Sequence, residues 1–218
     1  MAEYVSLERH DDGAIAVLTL DRSDKRNALS IAVRDEISDT RDDLAGDESL
    51  QVVIITGAGA VFSAGFDLRE FETAAADPAF SERLWESSER YHATVATFPL
   101  PTIAAVNGPA IAGGFDLAVL CDVRVAATTA RFSHPERTFG EVMYAPLREL
   151  IGGGRALELL FTGRTVETAE ARLMGLVTAV VEPADLADHA LATARTICAV
   201  PRPLLLIHKA NVLDHSSS

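Results

Sequence analysis

The sequence predicts an α/β fold built on a largely parallel sheet. Short apolar runs that suit buried strands, such as residues 51–56 and 102–106, alternate with longer stretches that suit helices. Such alternation requires right-handed crossover connections, which lay successive strands parallel to one another. The length of 218 residues fits one domain, or one domain with a small appendage.

The first elements along the chain are a hairpin and a helix. Residues 5–9 and 14–20 suit the two strands of the hairpin, around a turn at residues 11–13. Ser30 suits the N-cap of a helix over residues 31–44. Further strands are expected at residues 51–56, 102–106, 123–127, 130–133 and 178–181, and further helices at residues 79–97, 113–120, 147–151, 156–161, 168–174, 184–200 and 203–213.

Charge and cysteine content argue against several classes of protein. The net charge of −13 disfavours binding to nucleic acid or to an anionic membrane surface, because both require basic patches. Cys121 and Cys198 lie in apolar runs and are expected to be buried thiols rather than a disulfide framework. The N-terminus has no apolar signal core, and prolines and glycines interrupt the uncharged stretch 91–115. We therefore expect a cytoplasmic protein that binds neither nucleic acid nor a membrane.

Two glycine-rich turns, at residues 57–65 and 107–114, each follow a strand and precede a helical run. The start of a helix carries unpaired N–H donors and a partial positive charge, and glycines let a ligand approach the backbone closely. One such turn would be explained by chain reversal alone. Two of them favour a pair of converging N–H donors, which is the make-up of an oxyanion hole.

Four motifs in order give the chain a family resemblance. They are KRNAL at 25–29, FSAGFDL at 62–68, the stretch 105–122 and FSHPE at 132–136, with a weaker match over 160–177. The chain resembles the crotonase superfamily, the enoyl-CoA hydratases and isomerases, over nearly its whole length. The resemblance implies a spiral of ββα units over residues 1–183 and a helical C-terminal segment, 184–218, that is short relative to the family. It also implies a homotrimer or a dimer of trimers.

The resemblance also assigns catalytic positions. It implies that the N–H groups of Ala64 and Gly113 bind the thioester oxygen as it becomes an enolate. Glu136 matches the family's catalytic glutamate that moves a proton beside the thioester. Asp116 matches the second catalytic glutamate but is one methylene shorter, so holding water and merely favouring the helix dipole are equal alternatives.

Binding of CoA is implied mainly for the two motifs nearest the N-terminus, together with Gly113 of the third. Lys25 and Arg26 form a local basic pair that suits phosphates, although a solvated loop pair is an equal alternative. The positions that match the family's CoA-binding segments are Lys25, Arg26, Ala28, Ala64, Gly65, Phe66, Asp67, Leu68 and Gly113. CoA would be part of the substrate, so no separate cofactor is expected. No His/Cys cluster has metal-ligand spacing, so no metal is expected either.

Three functions remain open, with hydration of a 2-enoyl-CoA preferred. A Δ3,Δ2-enoyl-CoA isomerase using Glu136 alone is favoured by the shortened Asp116 and by the segment 140–150, which looks closer to the isomerase branch. An inactive acyl-CoA-binding protein is the third. His134 is interpreted as a structural or surface histidine rather than a dyad partner of Glu136. Two roles are open, lining of the acyl pocket or ordinary helix packing, for the side chains of Glu141, Met143 and Tyr144.

Overall fold

The fold is built on a six-stranded sheet that is parallel apart from its first hairpin. The computed structural model describes residues 3–138 and 145–216. The strands of the chain are β1 (Val5–His10), β2 (Ile15–Leu20), β3 (Val52–Gly57), β4 (Thr102–Val106), β5 (Ala110–Ile111), β6 (Val123–Ala127), β7 (Arg131–Ser133), β8 (Val166–Glu167) and β9 (Ala179–Val181). The large sheet has the order β1-β2-β3-β4-β6-β9, with β1 and β2 antiparallel and every other pair parallel. The predicted α/β class and parallel sheet are confirmed.

A second, small sheet brings two distant segments together. Its order is β5-β7-β8, and the parallel pairing of β5 with β7 sets Ile111 opposite Ser133. The two-residue strands β5 and β8 were not predicted, because two residues are too short to produce a periodic pattern. The pairing of β5 with β7 places the chain that follows Ser133 beside the second glycine turn.

The helices connect the strands and cover the sheet. They are α1 (Ile31–Ala45), α2 (Leu68–Ala76), α3 (Pro78–Ala96), α4 (Gly113–Leu120), α5 (Ala145–Ile151), α6 (Gly153–Thr162), α7 (Thr168–Leu173), α8 (Leu186–Cys198) and α9 (Arg202–Ser216). The Ser30 hydroxyl accepts a hydrogen bond from Val33 N at 3.4 Å, so the predicted N-cap of α1 is confirmed. Asp77 ends α2 and caps α3 by accepting from the backbone N–H groups of Ala79 and Phe80.

The sheet buries a different hydrophobic cluster on each face, as the two-residue period of a strand requires. Val53 and Ile55 of β3 face the larger cluster, which includes residues of α1, α3 and α4. Val52 and Ile54 face the smaller cluster, where α8 supplies its apolar side. The division of the chain after residue 183 stays a prediction, but α8 packs directly on the large sheet.

Within the described ranges, no single helix is both long and apolar enough to cross a membrane. One pair of helices, Pro183–Cys198 with Arg202–Leu213, meets the length and composition test jointly, with a bend of 101° between its members.

Candidate active site

The first glycine turn is held by a buried asparagine. The Asn27 side chain accepts from Arg22 N at 3.0 Å and donates to the carbonyls of Ala58 and Val61 at 3.0 and 2.7 Å. It is 0% exposed, so each of its bonds replaces one that water would have supplied. This side chain therefore joins the KRNAL segment to the turn that follows β3.

The N–H donor of the first turn is one that the sequence prediction did not select. Ala64 N–H donates to the carbonyl of Arg26 at 3.0 Å, so the prediction that Ala64 offers a free donor is wrong in this structure. Phe66 N–H has no hydrogen-bond partner within the described parts of the chain. Gly65, at φ +83°, reverses the chain between these two residues.

The two turns meet at Gly65 and Gly113. A Cβ added to Gly65 would lie 3.0 Å from the Gly113 nitrogen, and a Cβ on Gly113 would lie 2.8 Å from the Phe66 ring. Gly113 is the first residue of α4, and its N–H has no partner in the ranges that the structure describes. Ala112, just before it, has φ +54° and ψ −130°, a strained conformation for a residue with a Cβ. The N–H groups of Phe66 and Gly113 therefore belong to adjacent, tightly packed turns.

A buried arginine supports the Phe66 side of the site. Arg34 is 0% exposed and donates to the carbonyl of Leu29 at 2.7 Å, while its guanidinium lies 4.4 Å from the centre of the Phe66 ring. The Glu70 carboxylate accepts from Ile31 N at 2.9 Å. The Phe66 ring is therefore packed against α1, and the start of α1 is joined to α2 through Glu70. Sequence reasoning missed Arg34, because an arginine on a helix is ordinarily interpreted as a surface residue.

Two carboxylates and a histidine meet in front of α4. Asp116 lies on the first turn of α4 and is 8% exposed, and Glu136 lies in the 3₁₀ turn Pro135–Thr138. His134 Nδ1 is 2.9 Å from Glu136 Oε1, and His134 Nε2 is 3.7 Å from Asp116 Oδ1. The surface interpretation of His134 is wrong, because the residue is 2% exposed. The spacing of two residues on an extended segment placed His134 and Glu136 on one face, but the proximity of Asp116 had no sequence signal.

Burial changes the acidity of Asp116. Its pKa is raised to about 7, mainly because burial removes hydration from the carboxylate; a charge on His134 opposes the shift and a charge on Glu136 contributes to it. A carboxyl group with a pKa near neutrality exchanges protons readily at physiological pH, which suits a general acid or base. Perturbed groups of this kind concentrate at functional sites.

The same three side chains place one potential ligand atom each within 4.8 Å of one another. We do not assign them as metal ligands. Glu136 already holds His134 Nδ1 through one oxygen, and an Asp116 pKa of about 7 means that a proton would compete with a cation for that carboxylate at neutral pH. The absence of a metal stays a prediction.

We expect Asp116→Asn to change how stability depends on pH. The pKa of Asp116 is higher in the folded protein than in the unfolded chain, so the group stabilises the fold most at pH values below its unfolded pKa. This stabilisation is lost as the pH rises toward 7, because the carboxylate then ionises while it is buried. Asparagine has the same shape and never ionises. The measurement is thermal unfolding of both proteins at pH 5 and at pH 8. The melting temperature of the variant minus that of the wild type should be more positive at pH 8 than at pH 5. A difference that is equal at the two values would contradict the raised pKa.

The residues predicted to bind CoA fall into two groups. Gly65 and Ala28 are buried, Ala64 and Phe66 are partly buried, and these residues lie in or beside the first turn. Lys25 and Arg26 are exposed at the rim of the same turn, where charged side chains are available to phosphates. The roles predicted for these positions stay predictions.

Asp67 and Leu68, which were also predicted to bind CoA, have different surroundings. Asp67 pairs with Arg22 at 2.9 Å and caps α2, so its carboxylate serves the fold. Leu68 is 62% exposed. The predicted acyl-pocket residues Glu141, Met143 and Tyr144 lie outside the described residues.

Comparison with known proteins agrees with this geometry. A family model described as enoyl-CoA hydratase/isomerase matches residues 10–217. A probable enoyl-CoA hydratase of Mycobacterium tuberculosis is 38% identical over 199 residues, which cover 89% of this chain and 75% of the relative. A crystal structure of an enoyl-CoA hydratase/carnithine racemase from Magnetospirillum magneticum has a TM-score of 0.88 at 34% identity, covering 96% of this chain and 80% of that one.

A monofunctional enoyl-CoA isomerase from Mycobacterium smegmatis is also similar, with a TM-score of 0.84 at 31% identity over 99% of this chain and 94% of its own. The fold and the paired turns define a protein of the crotonase superfamily, as the motifs predicted. Within that superfamily, the chain belongs to the enoyl-CoA hydratase/isomerase family.

Proposed function

We propose that this protein adds water to a 2-enoyl-CoA thioester. The observation that carries the proposal is that Asp116, although shorter than a glutamate, reaches the same buried cluster as Glu136. Hydration requires one group that deprotonates water and a second that delivers a proton to carbon, and two neighbouring carboxylates can divide these tasks. The named relatives, including the Mycobacterium tuberculosis protein, support this choice.

In the proposed mechanism, the thioester oxygen lies between the N–H groups of Phe66 and Gly113. Ionised Asp116 takes a proton from water as the water oxygen bonds to C3 of the substrate. The electron pair of the double bond moves to the thioester oxygen, where the two donors and the N-terminus of α4 stabilise the negative charge. Glu136 then gives a proton to C2, which completes the addition of one water.

An enoyl-CoA isomerase is the second candidate. Glu136 Oε2 is buried and has no partner in the part of the chain that the structure describes, so a single carboxylate oxygen is available to carry a proton between two carbons. A pKa of about 7 also leaves Asp116 partly protonated at neutral pH, which weakens it as a base for water. The similarity to the Mycobacterium smegmatis isomerase supports this alternative.

The test is to incubate the purified protein with crotonyl-CoA and, separately, with a 3-enoyl-CoA, and to follow ultraviolet absorbance and product mass. Gain of one water on crotonyl-CoA, weakened in Asp116→Asn, would support the hydratase. Conversion of the 3-enoyl ester to the 2-enoyl ester at constant mass, with Asp116→Asn still active, would support the isomerase. No turnover, with acyl-CoA still raising the melting temperature, would leave the inactive acyl-CoA-binding protein.

We further propose that the chain acts in the cytoplasm as a homotrimer or a dimer of trimers. Cys121 and Cys198 are both free thiols, as a reducing compartment favours. Large apolar side chains are exposed on three C-terminal helices: Phe161 of α6, Leu173 of α7, and Leu204 and Ile207 of α9. Contact between copies of the chain would remove such surface from water.

Light scattering after gel filtration should therefore give a mass three or six times that of the 23.3 kDa chain. Leu173→Asp, at a position that is 86% exposed, should lower that mass, because a buried charge would destabilise the contact. A mass of one chain for the unmodified protein would refute the proposed assembly.

A further inference from the structure

We propose that Arg34 is a positioning residue for the N–H group of Phe66, and that it sets how strongly this donor acts on the thioester oxygen. The inference rests on the proposed function, in which Phe66 N–H and Gly113 N–H bind that oxygen. Arg34 lies on α1 and is 0% exposed, so it can influence the substrate only through the residues that it contacts. Two routes lead from its guanidinium to the donor, one through the backbone of Leu29 and one through the Phe66 ring.

The backbone route begins at the carbonyl of Gly65. Leu29 N–H donates to this carbonyl at 2.8 Å, and Leu29 and Phe66 are paired as a parallel β-bridge. Gly65 C=O and Phe66 N–H belong to one peptide group, which is planar and, in the trans form, carries these two groups on opposite sides. The bond from Leu29 therefore fixes the plane of this peptide and turns Phe66 N–H away from Leu29.

Arg34 holds both members of that bridge. Its Nη1 donates to Leu29 O at 2.7 Å, on the same residue whose N–H fixes the peptide plane. Its guanidinium also lies 4.4 Å from the centre of the Phe66 ring, within the range of a cation–π contact. Movement of this one side chain would therefore release the backbone of Leu29 and the side chain of Phe66 together.

The guanidinium is itself held in one orientation. Nε donates to Ser87 Oγ at 3.3 Å and Nη2 donates to Leu84 O at 3.2 Å, and both acceptors lie on α3. With Nη1 on Leu29, each of the three nitrogens has a hydrogen bond. An ammonium group is a compact charge that cannot meet three acceptors spread around a planar fork, so lysine would not replace arginine here. The fork therefore transmits the positions of α1 and α3 to the donor.

A second buried arginine on the same helix provides a matched control. Arg41 is 1% exposed, lies 4.0 Å from the centre of the Phe98 ring and donates to Val95 O at 3.3 Å. It shares the burial and the ring contact of Arg34, but these partners lie at the end of α3 and just beyond it, not at the turn that carries Phe66. Substitution of either arginine should destabilise the protein, whereas only substitution of Arg34 should disturb the donor.

The first test measures the C=O stretching frequency of a bound saturated thioester, butyryl-CoA labelled with ¹³C at the carbonyl, by infrared difference spectroscopy. Two preorganised donors on the oxygen should lower this frequency in the unmodified protein below its value in water. In Arg34→Lys we expect much of this shift to be lost, because Phe66 N–H is no longer held in line with the oxygen. Arg41→Lys should retain the full shift.

The second test is steady-state hydration of crotonyl-CoA by the same variants. Loss of one oxyanion donor in a protease costs about 10²–10³-fold in kcat. We therefore expect kcat of Arg34→Lys to be lower by on the order of 10²-fold with little change in KM, because the donor acts mainly on charge that develops in the transition state. Arg41→Lys should keep the kcat of the unmodified protein.

Equal losses in Arg34→Lys and Arg41→Lys would overturn the inference, because both would then reflect general destabilisation. An unchanged frequency in Arg34→Lys, with the fold verified by circular dichroism, would overturn it as well. If the unmodified protein does not hydrate crotonyl-CoA, the proposed function fails, and the spectra of bound butyryl-CoA still decide the inference. An unmodified protein that binds butyryl-CoA without lowering the frequency would refute the donor and its positioning residue together.

A further variant decides the question if Arg34→Lys does not fold. Phe66→Leu keeps the backbone N–H and the bond between Arg34 and Leu29, and it removes only the ring contact. We expect it to lose part of the frequency shift, since one of the two routes remains. A full shift in Phe66→Leu would refute the positioning role of Arg34 through the ring.

Discussion

Glu136→Gln should abolish most turnover while leaving acyl-CoA binding nearly intact. Glutamine keeps the size of the side chain and a hydrogen-bonding atom for His134 Nδ1, but it cannot donate a proton to carbon at neutral pH. General acid–base catalysis commonly contributes 10²–10⁴-fold, so we expect a loss of about that size in kcat. Phe66 N–H and Gly113 N–H, the donors proposed to bind the thioester oxygen, lie on other segments and remain in place.

The measurement is steady-state kinetics with crotonyl-CoA and the 3-enoyl ester, with binding of a saturated acyl-CoA followed by calorimetry. Glu89→Gln, an exposed position on α3, is the matched control and should behave as the unmodified protein does. If the Glu136→Gln variant turned over either substrate at the normal rate, Glu136 would be excluded as the proton carrier. A loss of acyl-CoA affinity as large as the loss of rate would instead mean that Glu136 contributes to binding.

Gly65→Ala should destabilise the protein and remove activity together. Its φ of +83° costs about 1–2 kcal/mol for a residue with a Cβ. The new methyl group would lie 2.7 Å from Ile111 O and 3.0 Å from Gly113 N, and such overpacking typically costs about 1–3 kcal/mol more. We expect a melting temperature lower by roughly 5–15 °C, measured by circular dichroism.

The variant also reports on the site, because relief of either contact separates the two turns that carry Phe66 N–H and Gly113 N–H. Gly154→Ala is the control. Gly154 lies in α6 without a positive φ, and a Cβ there would meet nothing within 4 Å. That substitution should stabilise the protein by about 0.5–1 kcal/mol, as alanine does in a helix. Equal melting temperatures for the two variants would mean that the turns are not packed as the structure shows.

Local features explain what could be predicted from the sequence. The N-cap at Ser30, the strands β2 to β4 and the helix start at Gly113 depend on neighbouring residues, so pattern and capping chemistry were sufficient. The family motifs identified Asp116 and Glu136 as well. The structure brings these two side chains into one buried cluster with His134, and their catalytic roles stay predictions.

What could not be predicted depends on contacts between distant segments. The pairing of Ala64 N–H with Arg26 O is a bond between residues 38 positions apart, and no local pattern reveals that this donor is occupied. His134 was interpreted as a surface or structural residue because only the pairing of β5 with β7 brings it beside Asp116. Arg34 was missed for the same reason, since its partners on α3 come into contact only after folding.

The division of the site between α4 and the segment 134–136 has a consequence for how such a protein can diverge. Gly113 N–H and Asp116 share one turn of a rigid helix, so neither can shift without the other. Glu136 and His134 reach the site from a separate segment, joined to α4 through the bond between Ala112 N and Ser133 O. Substitutions in that segment can change the proposed proton-transfer groups while the proposed oxygen-binding N–H of Gly113 stays in place. New reactions on this scaffold should therefore arise first by sequence drift beyond Ser133, with the helix retained as the fixed half.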